Sequence, residues 1–125
     1  MMKKEFSDAR TKDLGCDSFT NDIFEINTVV RECQHALDHM NKWAKTECME
    51  TPMLVGPGKS YVVKEPLGVI AIIGSWNYPY MTVLAPLVSV IAAGNTAICK
   101  PSEQSPFSSK RLKFFFTRWL DKEAF

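Results

Sequence analysis

The chain has 125 residues, enough for one domain with a core and too few for two ordinary ones. A hydrophobic share of 46% with 23% charged residues excludes a disordered chain. Fifteen basic against fourteen acidic residues leave a net charge of +1, so no long-range pull toward nucleic acid or an anionic membrane is expected.

Residues 1–16 are polar, mixed in charge and without periodicity, which predicts a poorly ordered lead-in. Met1-Met2-Lys3-Lys4-Glu5 is followed by no apolar segment and does not read as a secretory signal. A long amphipathic helix is predicted next. Phe19, Ile23, Ile26, Val30, Cys33, Leu37, Met40 and Ala44 recur at spacings of three and four, which puts them on one face, with Asp17 or Ser18 as cap. Thr51-Pro52 breaks the pattern, Gly56-Pro57-Gly58 reads as a turn, and Ser60 to Lys64 as a short strand.

Leu67 to Ile73 is a continuous apolar, β-branched run, suited to a strand buried on both faces of a parallel sheet and too short to span a bilayer. Met81 to Ala93 follows as a helix stopped by Gly94-Asn95, with Pro86 tolerable only in its first turn or as a kink. Thr96 to Cys99 is a second buried strand. Ser105-Pro106 then opens a helix, serine as cap and proline at its first position, whose inner face is Leu112, Phe115, Phe116 and Trp119. Of Phe114, Phe115 and Phe116, two are expected to face the sheet. The order strand, helix, strand, helix predicts an α/β fold: a partial Rossmann-like parallel sheet preceded by a long amphipathic helix, with residues 17–125 as one unit.

In such a sheet, ligands bind beyond the carboxyl ends of the strands. Two unusual strings fall there: Gly74-Ser75-Trp76-Asn77-Tyr78-Pro79 and Lys100-Pro101-Ser102-Glu103. Gly74 permits close backbone approach, and Asn77 offers a neutral amide donor suited to a developing oxyanion. Lys100 is a charged donor, and Glu103 an acceptor suited to ribose hydroxyls. No Gly-x-Gly-x-x-Gly follows the first core strand, so residue chemistry alone leaves a nucleotide site plausible and unproven. The four scattered cysteines form no Cys-x-x-Cys pair and suggest a reduced, cytoplasmic chain. Cys33 and Cys99 read as buried structural thiols. His35 and His39, four apart, read as part of a solvated face with no third ligand in view.

Glu65-Pro66-Leu67-Gly68-Val69, Gly74-Ser75-Trp76-Asn77-Tyr78-Pro79, Ala92-Ala93-Gly94-Asn95 and Lys100-Pro101-Ser102-Glu103 resemble, in order and spacing, successive motifs of the aldehyde dehydrogenase superfamily. Trp76-Asn77-Tyr78-Pro79, Trp43-Ala44 and Leu120-Asp121-Lys122 resemble class 3 members in particular. The likeness covers Asp13 to the C-terminus, most strongly Glu65 to Glu103. It implies that residues 17–125 are a partial NAD(P)-binding domain. Asn77 would be the oxyanion donor; Gly74, Ser75 and Trp76 would line the cofactor site; Lys100 and Glu103 would contact the adenosine ribose, with Pro101 and Ser102 holding the turn. NAD is favoured, with NADP possible, because an acid at Glu103 repels a 2′-phosphate.

The resemblance also implies an aldehyde substrate, a carboxylic acid product and a homodimeric full-length form. The family's nucleophilic cysteine, general-base glutamate and pyrophosphate loop lie downstream of the matched segment, so the chain alone is expected to be inactive. A non-catalytic product that binds nucleotide or a partner subunit is the alternative.

Overall fold

Val69–Ile73 (β3) and Thr96–Lys100 (β4) run parallel in a computed structural model that describes residues 2–125, with Val69 opposite Thr96 and Ile73 opposite Lys100. Helix α4, Met81–Ala92, crosses between them, and α5, Pro106–Trp119, follows β4. The expected order of strand, helix, strand and helix is the one observed. Gly68 at φ +107° and Gly94 at φ +75° bracket the crossover. There the Asn95 side-chain oxygen accepts the Gly68 N–H at 2.9 Å, and the Gly68 carbonyl accepts the Thr96 N–H. Pro86 is the sixth residue of α4, beyond the first turn.

The sheet is covered on one face only. Side chains alternate along a strand, so Ile70, Ile72, Ala97 and Cys99 turn toward Leu87, Val90 and Phe116. Val69, Ile73 and Ile98 are exposed on the other face, 67–76% accessible. The continuous apolar run signalled two faces fit for burial; the described residues cover one.

Ahead of the sheet lie α1, Met2–Leu14, and a continuous helical rod made of α2 (Ser18–Asn21), a π-helical turn (Asp22–Ile26) and α3 (Asn27–Trp43). Asp17 caps the rod, its carboxylate accepting the Thr20 N–H at 2.9 Å. Glu47–Met49 (β1), absent from the sequence expectation, pairs antiparallel with Ser60–Val62 (β2) in an exposed ribbon.

Two further expectations are corrected. Residues 2–14 are helical rather than a loose lead-in. Phe6 packs in the core with Tyr80, Val83 and Leu112, its ring edge-on to Tyr80 at 4.8 Å. The apolar stripe of the rod is also not its buried face. Asn21, Glu25 and Ala36 are buried, whereas Phe19, Val30, Cys33 and Leu37 are exposed. At 100° per residue the two faces lie roughly a third of a turn apart.

Helix α5 buries Leu112 completely and packs Phe115 and Phe116 inward, while Phe114 and Trp119 remain exposed. Ser105 does not cap it. The Asp13 carboxylate, reaching over from α1, accepts the N–H groups of Phe107 (3.1 Å) and Ser108 (2.7 Å) instead. An anion at this end also meets the positive pole of the helix.

Candidate functional site

The two strings picked out by sequence emerge side by side at the carboxyl edge of the sheet. They are joined where the Gly74 N–H donates to the Lys100 carbonyl at 2.9 Å, extending the ladder by one bond. Gly74 is buried, and a Cβ there would stand 2.3 Å from Val83 Cγ2. The glycine is therefore demanded by the packing of α4 against β3, and its N–H is already committed.

Beyond Gly74, almost every turn of the loop is held by a side chain. Thr82 Oγ1 accepts the Ser75 N–H at 3.0 Å and donates to the Tyr78 carbonyl at 2.8 Å. Ser105 Oγ donates to the Trp76 carbonyl at 2.8 Å. Arg10 Nη2 donates to the Asn77 carbonyl at 3.1 Å, with its guanidinium over the Tyr78 ring. Glu25 Oε2 accepts the N–H groups of Tyr80 (3.2 Å) and Met81 (2.6 Å), which cap α4. The Tyr80 hydroxyl donates to the Phe6 carbonyl; burial pushes that phenol up to about 12, so it stays a neutral donor.

The Asn77 side chain itself is exposed. Ser75 Oγ donates to its Oδ1 at 2.8 Å, which leaves the amide NH₂ to be offered outward. Trp76 is half exposed beside it.

Arg10, Asn21 and Glu25 escaped the sequence reading. Arg10 and Glu25 form an ion pair at 3.0 Å, both side chains almost wholly buried, though not aligned as an N–H···O bond. Arg10 Nη1 donates to Asn21 Oδ1, and Asn21 Nδ2 donates to the Ser7 carbonyl (3.0 Å) and to Thr11 Oγ1 (2.9 Å). Burial pushes the Glu25 carboxyl above its ordinary value, against the pull of the Met81 N–H and the Arg10 charge. A polar residue recurring on the inner edge of an amphipathic helix was the available signal, but its partners lie 15 and 55 residues away.

The second string is a local, solvent-facing turn. Lys100 Nζ meets Glu103 Oε2 at 2.7 Å, with both side chains well exposed. This hydrogen bond, then the residue's own N–H, then the Lys100 charge hold Glu103 below its ordinary value. Ser102 is buried; its carbonyl accepts from Ser109 Oγ at 2.8 Å and its hydroxyl accepts the Gln104 N–H. A pocket of about 470 Å³ opens here, lined by Cys99, Lys100, Glu103, Lys113 and Phe116 among others. Lys113, on α5, was not foreseen. Cys99 is half-buried, and burial pushes its thiol up. On α3, His39 stacks on Trp43 and His35 meets the same ring edge-on.

An anionic acceptor, an ammonium donor and an apolar wall suit a ribose and its base. Comparison with known proteins identifies the family of the chain without assigning these residues a role. The chain matches the aldehyde dehydrogenase family over residues 1–122. It is 40% identical over 123 residues to aldehyde dehydrogenase family 3 comG of Dictyostelium discoideum, covering 98% of this chain and 26% of that protein. Against aldehyde dehydrogenase family 3 member B2 of Mus musculus the identity is 37%, with the same coverage. The substrate-bound state of Staphylococcus aureus AldH superposes with a TM-score of 0.85 at 35% identity, over 99% of this chain and 28% of that one. The chain thus spans about a quarter of the length of the relatives it matches.

Proposed function

Since this chain belongs to the aldehyde dehydrogenase family, we propose that it contributes the adenosine-binding edge and the oxyanion donor of an enzyme oxidising aldehydes to carboxylic acids with NAD(P). The observation that carries this reading is the Gly74–Lys100 bond. It seats Asn77 and the Lys100–Glu103 pair at neighbouring strand ends, where an open α/β sheet receives its ligand.

In this reading Glu103 accepts from ribose hydroxyls and Lys100 donates to them, while Phe116 and the Lys113 stem wall the base. The dinucleotide, when bound, supplies the hydride acceptor. Asn77 donates its amide N–H to the aldehyde oxygen as negative charge gathers there, and Ser75 fixes which end of the amide faces out. NAD is favoured over NADP because Glu103, held ionised by Lys100, repels a 2′-phosphate. Cys99, beside this edge, is not poised as a thiolate, since burial raises its thiol. The resemblance sets the family's nucleophilic cysteine downstream of these motifs, so these 125 residues by themselves are expected to turn over no aldehyde. Among the described residues, no helix is long and apolar enough to cross a membrane. A cytoplasmic homodimer is the proposed setting of the complete polypeptide.

Half-exposed Trp76 provides a test. With Trp43 and Trp119 replaced by Phe, titration with NAD should quench its fluorescence saturably, and Glu103→Ala should weaken the response. A flat titration at millimolar NAD would overturn the assignment of this edge.

A further inference from the structure

We propose that Arg10, Asn21 and Glu25 form a buried clamp whose task is to position Asn77, with Arg10 and Glu25 as positioning residues. This rests on the reading of Asn77 as the oxyanion donor.

The clamp grips the loop on both sides of its apex. Arg10 holds the Asn77 carbonyl, and Glu25 holds the N–H groups of Tyr80 and Met81, three and four residues on. The planar guanidinium spans three elements at once, reaching Asn21, Glu25 and the loop in fixed relative directions, which a lysine could not do. Asn21 in turn is locked onto α1 through Ser7 and Thr11, so the frame holding Arg10 is itself rigid.

Stability alone does not account for two buried ions. A well-packed apolar pair of similar size generally serves as well or better. Here the polar atoms are spent on the backbone of one loop, the loop that carries the exposed Asn77 amide. The Asn77 carbonyl is fixed from within by Arg10 and its side-chain oxygen from without by Ser75. Two constraints on one residue define where its N–H points. An oxyanion donor has to be set in advance to within a fraction of an ångström.

The complete polypeptide bearing these residues provides the test, as Arg10→Met in the Asn77 and the Asn77→Ala backgrounds. Displacing a reacting group by about 1 Å costs on the order of 10²-fold. Arg10→Met should lower kcat by roughly 10–100-fold while the KM for NAD changes less than about twofold. In the Asn77→Ala background the same change should cost less than about twofold, because the group being positioned is gone. Equal losses in both backgrounds would mean general support of the fold and overturn the proposal. Should Arg10→Met fail to fold, Arg10→Lys retains the charge, loses the fork, and is expected to give the same non-additive loss.

If Asn77→Ala leaves kcat intact, the oxyanion reading fails, and amide hydrogen exchange then decides the clamp. In Glu25→Gln the amides of Tyr80 and Met81 should exchange about tenfold faster or more, with those of β3 and β4 unchanged. A uniform rise across the chain would refute the clamp.

Discussion

The two loops at the sheet edge start from one hydrogen bond and are built in opposite ways. The Gly74–Tyr80 loop is held from inside by residues far away in sequence: Arg10, Glu25 and Ser105, with Tyr80 tied to Phe6. The Lys100–Ser105 turn is held by its own neighbours, through a Lys100–Glu103 pair three residues apart and a Ser102 fastened to Ser109. One loop has its position enforced by the fold; the other can adjust to what it meets. In the function proposed above, the enforced loop is the one that carries the oxyanion donor, and the adjustable turn is the one that meets the ribose.

Substitutions can break or sharpen this contrast. Glu25→Ala would leave Arg10 buried without a counter-charge and two N–H groups at the start of α4 without an acceptor. A loss of about 3–5 kcal/mol is expected in urea denaturation. Glu103→Ala should leave the same curve unmoved, and comparable losses for both would erase the distinction between the loops. Gly74→Ala drives a methyl into Val83 and should cost about 1–3 kcal/mol by the same measurement.

Acidity separates the loops further. The folded-state pKa of Glu25 is raised from an ordinary 4.5, so between these two values the folded state binds the extra proton. The stability this group contributes is fully present below about pH 4.5 and is lost as pH rises through the raised value. Glu25→Gln should therefore lose less stability than the parent over that rise; a steeper fall in the variant would reverse the sign. Asp17, the cap of the rod, has a lowered value, and its contribution runs the other way, present above the ordinary carboxylate range and lost as pH falls. The smallest effect expected is from Glu103→Gln, with an unchanged melting temperature and a preference for NAD over NADP reduced several-fold in paired titrations.

Much of the sheet was legible because its signals are local. A β-branched run, a Gly94-Asn95 stop and a Ser105-Pro106 start located β3, α4, β4 and α5 to within a few residues. The Lys100-Pro101-Ser102-Glu103 turn was legible for the same reason, though the ion pair across it was not. Helix α1 was not, because its polarity is satisfied at long range: Arg10 on Glu25 and Asn77, Asp13 on the start of α5, and Glu5 on Arg111 at 2.7 Å. Ser105 shows the same limit from the other side. Its type is right for a cap, yet its hydroxyl goes to Trp76 while an aspartate 92 positions earlier takes the helix. Periodicity likewise names the apolar side of a helix or strand without saying what covers it. Hence Leu37, Val69 and Trp119 were expected inside and stand exposed.

The cluster of Arg10, Asn21 and Glu25 also constrains how such a sequence can drift. Losing either ion alone strands the other in the interior, so a lineage can leave this arrangement only by changes that arrive together or by way of a weakened intermediate. The Lys100–Glu103 turn, open to water, can be altered one residue at a time. Side by side at one sheet edge, therefore, the exposed turn is free to change stepwise, while the buried cluster behind the Asn77 loop can change only as a block.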